Sequence, residues 1–339
     1  MKRLPLPDLL KGFAVFLIVP VHMLETFIDS PGRESLLGKM LLFLGGPFGV
    51  PVFMIVMGYF MARNKKTLIQ NLWRGIKVFL VGFLLNIGLN FNLLLKIKFA
   101  GWQYNPLEYI FGVDIFYLAG LSLIVLALIK TIKKGSVLIV SILAFSILAG
   151  TEFMNDHLLS TERNYILPFI AGEYSWGYFP LFPWLAYPLV GFAFYLLEGK
   201  IKEIFLAKKW MPLSIFSVLF LAVILFSKSG YAITVDLSSY YHHTFWFALW
   251  ALAVVVLWVF LLRAFISKYP LTVIGNFYIW LGKNITVFYI IQWLIIGNIA
   301  TAVYQTQSMK TYIFWFLGIF SVTVILTRLL EKLNLKIAR

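Results

Sequence analysis

Ten runs of mainly apolar residues follow one another along the chain, each closed by charge, proline, glycine or asparagine. They cover approximately residues 8–27, 40–62, 74–95, 107–129, 136–151, 178–197, 210–227, 244–266, 277–299 and 311–330. A helix that crosses a bilayer needs about 20 such residues, since about 1.5 Å of rise per residue must span about 30 Å of hydrocarbon. The pattern predicts an all-α fold, a polytopic membrane bundle of about ten transmembrane helices. The fifth run is short, and Lys283 and Asn284 interrupt the ninth. No repeat or low-complexity linker divides the chain, so residues 1–339 are read as one domain. The first run follows MKRLPLPD with no small-x-small cleavage site after it, and is read as an uncleaved span.

Two runs depart from ordinary spans. Residues 45–58, GGPFGVPVFMIVMG, carry two prolines and four glycines. Residues 178–188, YFPLFPWLAYP, carry three prolines among five aromatic residues. Proline removes a backbone donor and glycine permits close approach, so both segments should be kinked or partly unwound. Unwound backbone at membrane depth is tolerated where protein buries it or a cavity hydrates it.

Composition strengthens the membrane reading. The chain is 61% hydrophobic and 13% charged, against about 25% charged for a soluble domain. Its net charge of +15 could suggest nucleic acid, but the basic residues sit in short connections between the apolar runs, where membrane orientation accounts for them. One alternating set of connections holds Lys2 and Arg3; Arg63, Lys65, Lys66, Arg74 and Lys77; Lys130, Lys133 and Lys134; Lys200, Lys202, Lys208 and Lys209; Arg263 and Lys268; and Arg328, Lys332, Lys336 and Arg339, 20 in all. The opposite set holds seven: Arg33, Lys39, Lys96, Lys98, Arg163, Lys228 and Lys310. Both termini are therefore placed in the cytoplasm, in a plasma (inner) membrane. The longest outer connection, about 152–177, carries Glu152, Asp156, Glu162 and Glu173. Cysteine is absent, which excludes disulfides, thiolate metal sites and cysteine nucleophiles.

Ionisable groups inside membrane helices are expensive and so become candidates for chemistry. His22 lies fourteen residues beyond Asp8, about 21 Å along a helix, toward the outer face. Glu25 follows at i+3 on the same side, where a carboxylate can hold an imidazole in one tautomer for general-base work. The plainer alternative is an interfacial histidine. Asp114, in the outer half of the fourth run, is a second possible partner for His22. Arg74 and Lys77, one turn apart at the cytoplasmic start of the third run, could clamp phosphates, or simply mark the cytoplasmic side. Asn86, Asn90 and Gln292 suit ordinary interhelical hydrogen bonding, whereas Asp114 and Lys283 need a partner or water. Tyr240, Tyr241, His242 and His243 could stack on a sugar or bind a metal, but an interfacial aromatic belt explains them more simply. No Walker loop, HExxH, GxSxG or dinucleotide fingerprint occurs, and no metal is expected.

These motifs resemble a known group. LPDLLKGFAVFLIVPVH is similar to the opening of multi-span membrane acyltransferases, and GVPVFMIVMGYFMA to their glycine-anchored second helix. Arg74 and Lys77 fall where acyltransferase family 3 has an Arg-x-x-Arg pair. YFPLFPWLAYPLVGFAF and LGKNITVFYIIQW resemble the heparan-α-glucosaminide N-acetyltransferase-like branch. The resemblance implies that an acyl group, acetyl above all, passes from cytoplasmic acyl-CoA to a hydroxyl or amine of an envelope sugar or glycolipid. It makes His22 the base, Arg74 and Lys77 the contacts to CoA phosphates, and Asp8 the helix-opening acid. Lys11 and Lys77 stand where those families have arginine; each keeps the charge without the bidentate fork. The rival expectation is a transporter or lipid-linked-sugar flippase that couples through Asp114 and Lys283.

Overall fold

The structure is a computed structural model that describes residues 5–132, 136–158 and 164–333. Lys2, Arg3, Lys133, Lys134, Arg163, Lys336 and Arg339 of the charge pattern, and Glu162 of the outer connection, lie outside the described residues. Helices of nine or more residues are α1 (Pro5–Phe27), α2 (Leu36–Phe48), α3 (Val50–Arg63), α4 (Leu68–Leu89), α5 (Phe91–Phe99), α6 (Ile115–Ile129) and α7 (Ser136–His157). They continue as α8 (Ala186–Ala207), α9 (Met211–Leu225), α10 (Ser227–Val235), α11 (Phe245–Lys268), α12 (Val273–Lys283), α13 (Ile285–Val303) and α14 (Tyr312–Lys332). The fold is a polytopic helical bundle, and no strand occurs among the described residues. Eight helical segments there, α2 and α3 together counting as one, are long and apolar enough to cross a membrane, or nine if α9 and α10, bent by 60°, form one span. The chain is thus an integral membrane protein.

The proline- and glycine-rich segments interrupt helices as their composition requires. α2 stops at Phe48, Gly49 caps it, and α3 resumes at Val50, between Pro47 and Pro51. The second segment holds a four-residue turn, Leu181–Trp184, in which Phe182 is extended, before α8 begins. The fourth predicted span is the one that shortens. Only Ile115–Ile129 is helical, preceded by a separate turn at Pro106–Ile110. Val113 is used otherwise: its N–H donates to the Trp176 carbonyl at 2.6 Å, and its own carbonyl accepts from Phe179 N at 2.9 Å.

Two compact units divide the helices. The first comprises Met1–Gly49, Leu84–Ile110 and Arg263–Arg339. Here α1 lies directly on α12, backbone against backbone: a Cβ on Gly12 would overlap the Tyr278 carbonyl, and one on Gly282 would overlap that of Asp8. Those two crossings make α12 antiparallel to α1. α13 then lies along the second half of α1, and beyond it Gln305 N donates to Thr26 O (3.0 Å) and Gln307 N to Phe27 O (2.9 Å). The chain therefore turns at Lys283–Asn284, and the predicted ninth span, 277–299, is two helices. The turn leaves Lys283 exposed, which avoids the roughly 2.5–3.5 kcal/mol that a lysine costs at mid-bilayer.

The second unit comprises Val50–Phe83 and Phe111–Leu262. Its centre is the contact of α3 with α8, again between glycines and backbone: Gly58 meets the Pro188 carbonyl, and Gly191 meets that of Ile55. Lys130, just after α6, ties down the end of α3 through Met61 O (3.1 Å), Asn64 Oδ1 (3.0 Å) and the Asn64 carbonyl.

Candidate active site

His22 lies on α1 in the first unit and is only 7% exposed. Pro20 interrupts the hydrogen-bond ladder just before it, while Thr26 Oγ donates back to the His22 carbonyl at 2.6 Å. Gln292 Nε2, on α13, is 2.7 Å from the imidazole Nδ1. The next residue, Trp293, lays its ring against the histidine at 4.3 Å between centroids, tilted by 35°. Tyr289, one turn earlier, meets the imidazole edge-on at 5.9 Å. Nε2 of His22 has no hydrogen-bond partner among the described residues. The imidazole is thus fixed at one nitrogen and open at the other.

Gln292 is therefore the described hydrogen-bond partner of His22, in a position for which Glu25 and Asp114 were expected. Glu25 is half-buried at the end of α1, with its backbone carbonyl accepting from Gln305 Nε2 at 3.2 Å. Gln305 has φ of 52°, a left-handed conformation uncommon outside glycine, and its Oε1 accepts from Arg33 Nη2 at 3.2 Å. Burial and the nearby Glu25 carboxylate push the Tyr304 phenol up, with the Arg33 cation opposing. Asp114 belongs to the second unit, where it stands at the N-cap position of α6 instead of lying inside the helix.

Arg74 and Lys77 are both exposed, one turn apart on α4, and neither side chain has a hydrogen-bond or ion-pair partner among the described residues. Asp8 is buried and paired with Lys11 at 3.0 Å, so the acid that opens the first helix and its i+3 cation form one unit. Asn86 and Asn90 bond as expected, to the carbonyls of Ile110 (3.1 Å) and Tyr109 (3.3 Å). Lys283, exposed at the turn, does not provide the buried cation that a coupled transporter would use.

The Tyr240–His243 stretch is not an interfacial belt. His243 is 1% exposed, with Nε2 2.9 Å from the Tyr187 hydroxyl and Nδ1 2.8 Å from the Tyr240 carbonyl. Trp184 packs edge-on to it at 4.7 Å and donates its own indole N–H to the Tyr241 carbonyl at 2.7 Å. No group of three or more His, Asp or Glu side chains that could hold a metal occurs among the described residues.

The first span of this multi-span helical protein therefore carries a buried histidine that is bonded at one ring nitrogen and open at the other. The family described as "Heparan-alpha-glucosaminide N-acetyltransferase, catalytic" matches residues 3–223, more than half of the chain, and the protein belongs to that family. It is thus a member of a membrane acetyltransferase family, and His22 lies inside the matched region. Acyltransferase family 3 is a different family, so the roles that its resemblance suggests for Arg74 and Lys77 are proposals. No curated relative and no solved structure matches the chain.

Proposed function

We propose that the protein transfers an acetyl group from cytoplasmic acetyl-CoA to a hydroxyl or amine of an envelope sugar or glycolipid, with His22 as general base. The observation that carries this reading is the half-satisfied imidazole within the family's matched region. A neutral histidine is a base at one nitrogen only when the other holds the proton. The Gln292 amide can present oxygen or nitrogen to Nδ1 by a half-turn in place. With oxygen facing Nδ1–H, the lone pair lies on Nε2. Nε2 then takes the proton from the acceptor as its oxygen or nitrogen bonds to the thioester carbonyl carbon. When the C–S bond breaks, the departing CoA thiolate recovers that proton.

Arg74 and Lys77 are offered as contacts for the CoA phosphates, since both are cationic and uncommitted on adjacent turns of α4. The test is labelled acetyl-CoA with purified protein and a panel of amino- and hydroxy-sugar glycosides. Label should appear on an acceptor with the wild type and be lost with His22→Ala, while the variant still purifies folded. Full transfer by His22→Ala would remove the mechanism. CoA, but not AMP, should also protect the protein against heat.

A further inference from the structure

We propose that the indole N–H of Trp293 donates to the acyl oxygen as negative charge develops on it during transfer at His22. The proposal rests on the acetyl-transfer reading above. Two independent observations carry it. The Trp293 ring lies against the His22 ring, 4.3 Å between centroids and tilted by 35°, which sets the indole beside the base. The indole nitrogen is also buried and without a hydrogen-bond partner. Leaving a buried N–H unpaired costs about 1–3 kcal/mol, so natural proteins rarely do it without a use. Elsewhere in the chain the indoles of Trp184, Trp250, Trp280 and Trp315 all donate to a carbonyl or side-chain oxygen. Trp176 shares the deficit, but the ring contacts described for it are to Tyr165 and Tyr174 and not to a histidine.

Acyl transfer supplies the missing acceptor. As the sugar heteroatom bonds to the thioester carbon and its proton passes to His22 Nε2, the carbonyl oxygen becomes an alkoxide. A fixed donor in a dry, low-dielectric setting stabilises that charge far better than it stabilises the neutral carbonyl. When the carbonyl re-forms, the C–S bond breaks and the thiolate takes the proton back from Nε2. The indole N–H keeps its proton throughout. Gln292 and Trp293, adjacent on α13, would thus divide the work: one holds the base and the other receives the charge.

The test uses the full-length protein and labelled acetyl-CoA. Trp293→Phe keeps an aromatic ring but has no N–H. A sulfur isostere of tryptophan, benzothienylalanine, inserted at the same codon keeps the shape as well. Both should lower kcat by about 10²–10³-fold, the usual loss for one such donor, with the KM for acetyl-CoA unchanged. If Trp293→Phe fails to fold, the isostere decides. Wild-type kcat in the isostere, beside a dead His22→Ala, overturns the proposal and leaves the acetyl-transfer reading intact. So does a loss confined to KM. Absence of transfer by the wild type, or full activity in His22→Ala, overturns both.

Discussion

Of the three buried histidines, His22 and His243 differ in what their nitrogens have left to offer. His243 is bonded at both ring positions and sealed among Trp184, Tyr187 and Tyr240, which leaves no valence for a substrate. His22 keeps one nitrogen open. The first is a structural residue, and its burial has a measurable consequence. Burial holds the His243 imidazole down to about 3, the charge of His242 adding to this and the bond to Tyr240 opposing it; burial holds His242 at about 4. Above pH about 6.5 both rings are neutral, folded or unfolded, and they add no pH dependence. Below it the unfolded chain takes up protons that the folded chain refuses, so stability falls between about pH 6.5 and 4 by up to about 1.4 kcal/mol per unit per ring. Thermal melts in detergent should show this slope, and His243→Gln should reduce it by that ring's share, leaving the share of His242. Gln292 permits a sharper test. Glutamate can accept from Nδ1–H but cannot donate to Nδ1. Gln292→Glu should therefore keep much of the wild-type kcat, whereas Gln292→Leu should lose about tenfold or more with the KM for acetyl-CoA unchanged. The reverse order would place the proton on Nε2 and disqualify it as the base. Of these residues, His22 stood out in the sequence because a histidine inside an apolar run is costly. Gln292 did not, because an intramembrane glutamine is ordinary until its neighbour is known.

Helices meet at their glycines. At the α3–α8 contact the backbones approach so closely that Gly191 has no room for a side chain, whereas Gly199, farther along α8, is exposed with open space around it. The same helix thus supplies both the test and its control. Gly191→Val should lower the melting midpoint sharply or abolish the folded protein, since the Ile55 carbonyl cannot move aside without shifting α3. Gly199→Ala should stabilise by up to about 0.5–1 kcal/mol, because glycine gives up more freedom than alanine in a helix. Equal behaviour of the two variants would mean that the crossing is loose. Long apolar runs with charged ends were legible as helices, as were the breaks near Pro47–Pro51 and Pro180–Pro183. Hydropathy misplaced the fourth and ninth runs for a common reason: it measures preference for lipid, not direction. Gly112 and Asp114 interrupt one run where Val113 pairs with Trp176 and Phe179. Gly282–Asn284 reverses the other, at a place where only contact with Asp8 shows why a turn fits. The aromatic cage of His243 was illegible likewise, since Trp184 and Tyr187 come from a distant part of the chain.

At the scale of the whole chain the open quantity is parity. α6, with 15 residues, is about 22 Å long, shorter than the roughly 30 Å of a bilayer core. If it crosses, with the help of the extended residues before it, and α9 with α10 forms one bent span, the positive charges keep their alternation to the last connection. If it does not, every later connection exchanges sides. The absence of cysteine makes this directly measurable, because each introduced cysteine reports alone. Single cysteines at Lys66, Gln103, Ser175, Lys208 and Lys310 all replace exposed residues between helices. On intact cells an impermeant maleimide should modify Gln103→Cys, Ser175→Cys and Lys310→Cys. Lys66→Cys and Lys208→Cys should react only after permeabilisation. Exchange of Ser175 with Lys208, with Lys310 turning inward and Gln103 staying outside, would remove α6 from the spans and leave the first three untouched. Exchange of Lys66 with Gln103 is the graver result. It would invert α1, turn the end that carries His22 and Glu25 toward the cytoplasm, and remove Arg74 and Lys77 from the side where acetyl-CoA is made. A transfer reaction across the membrane requires donor and acceptor to reach opposite ends of that first helix, so this pair of labels tests the proposed function as directly as the loss of His22 does.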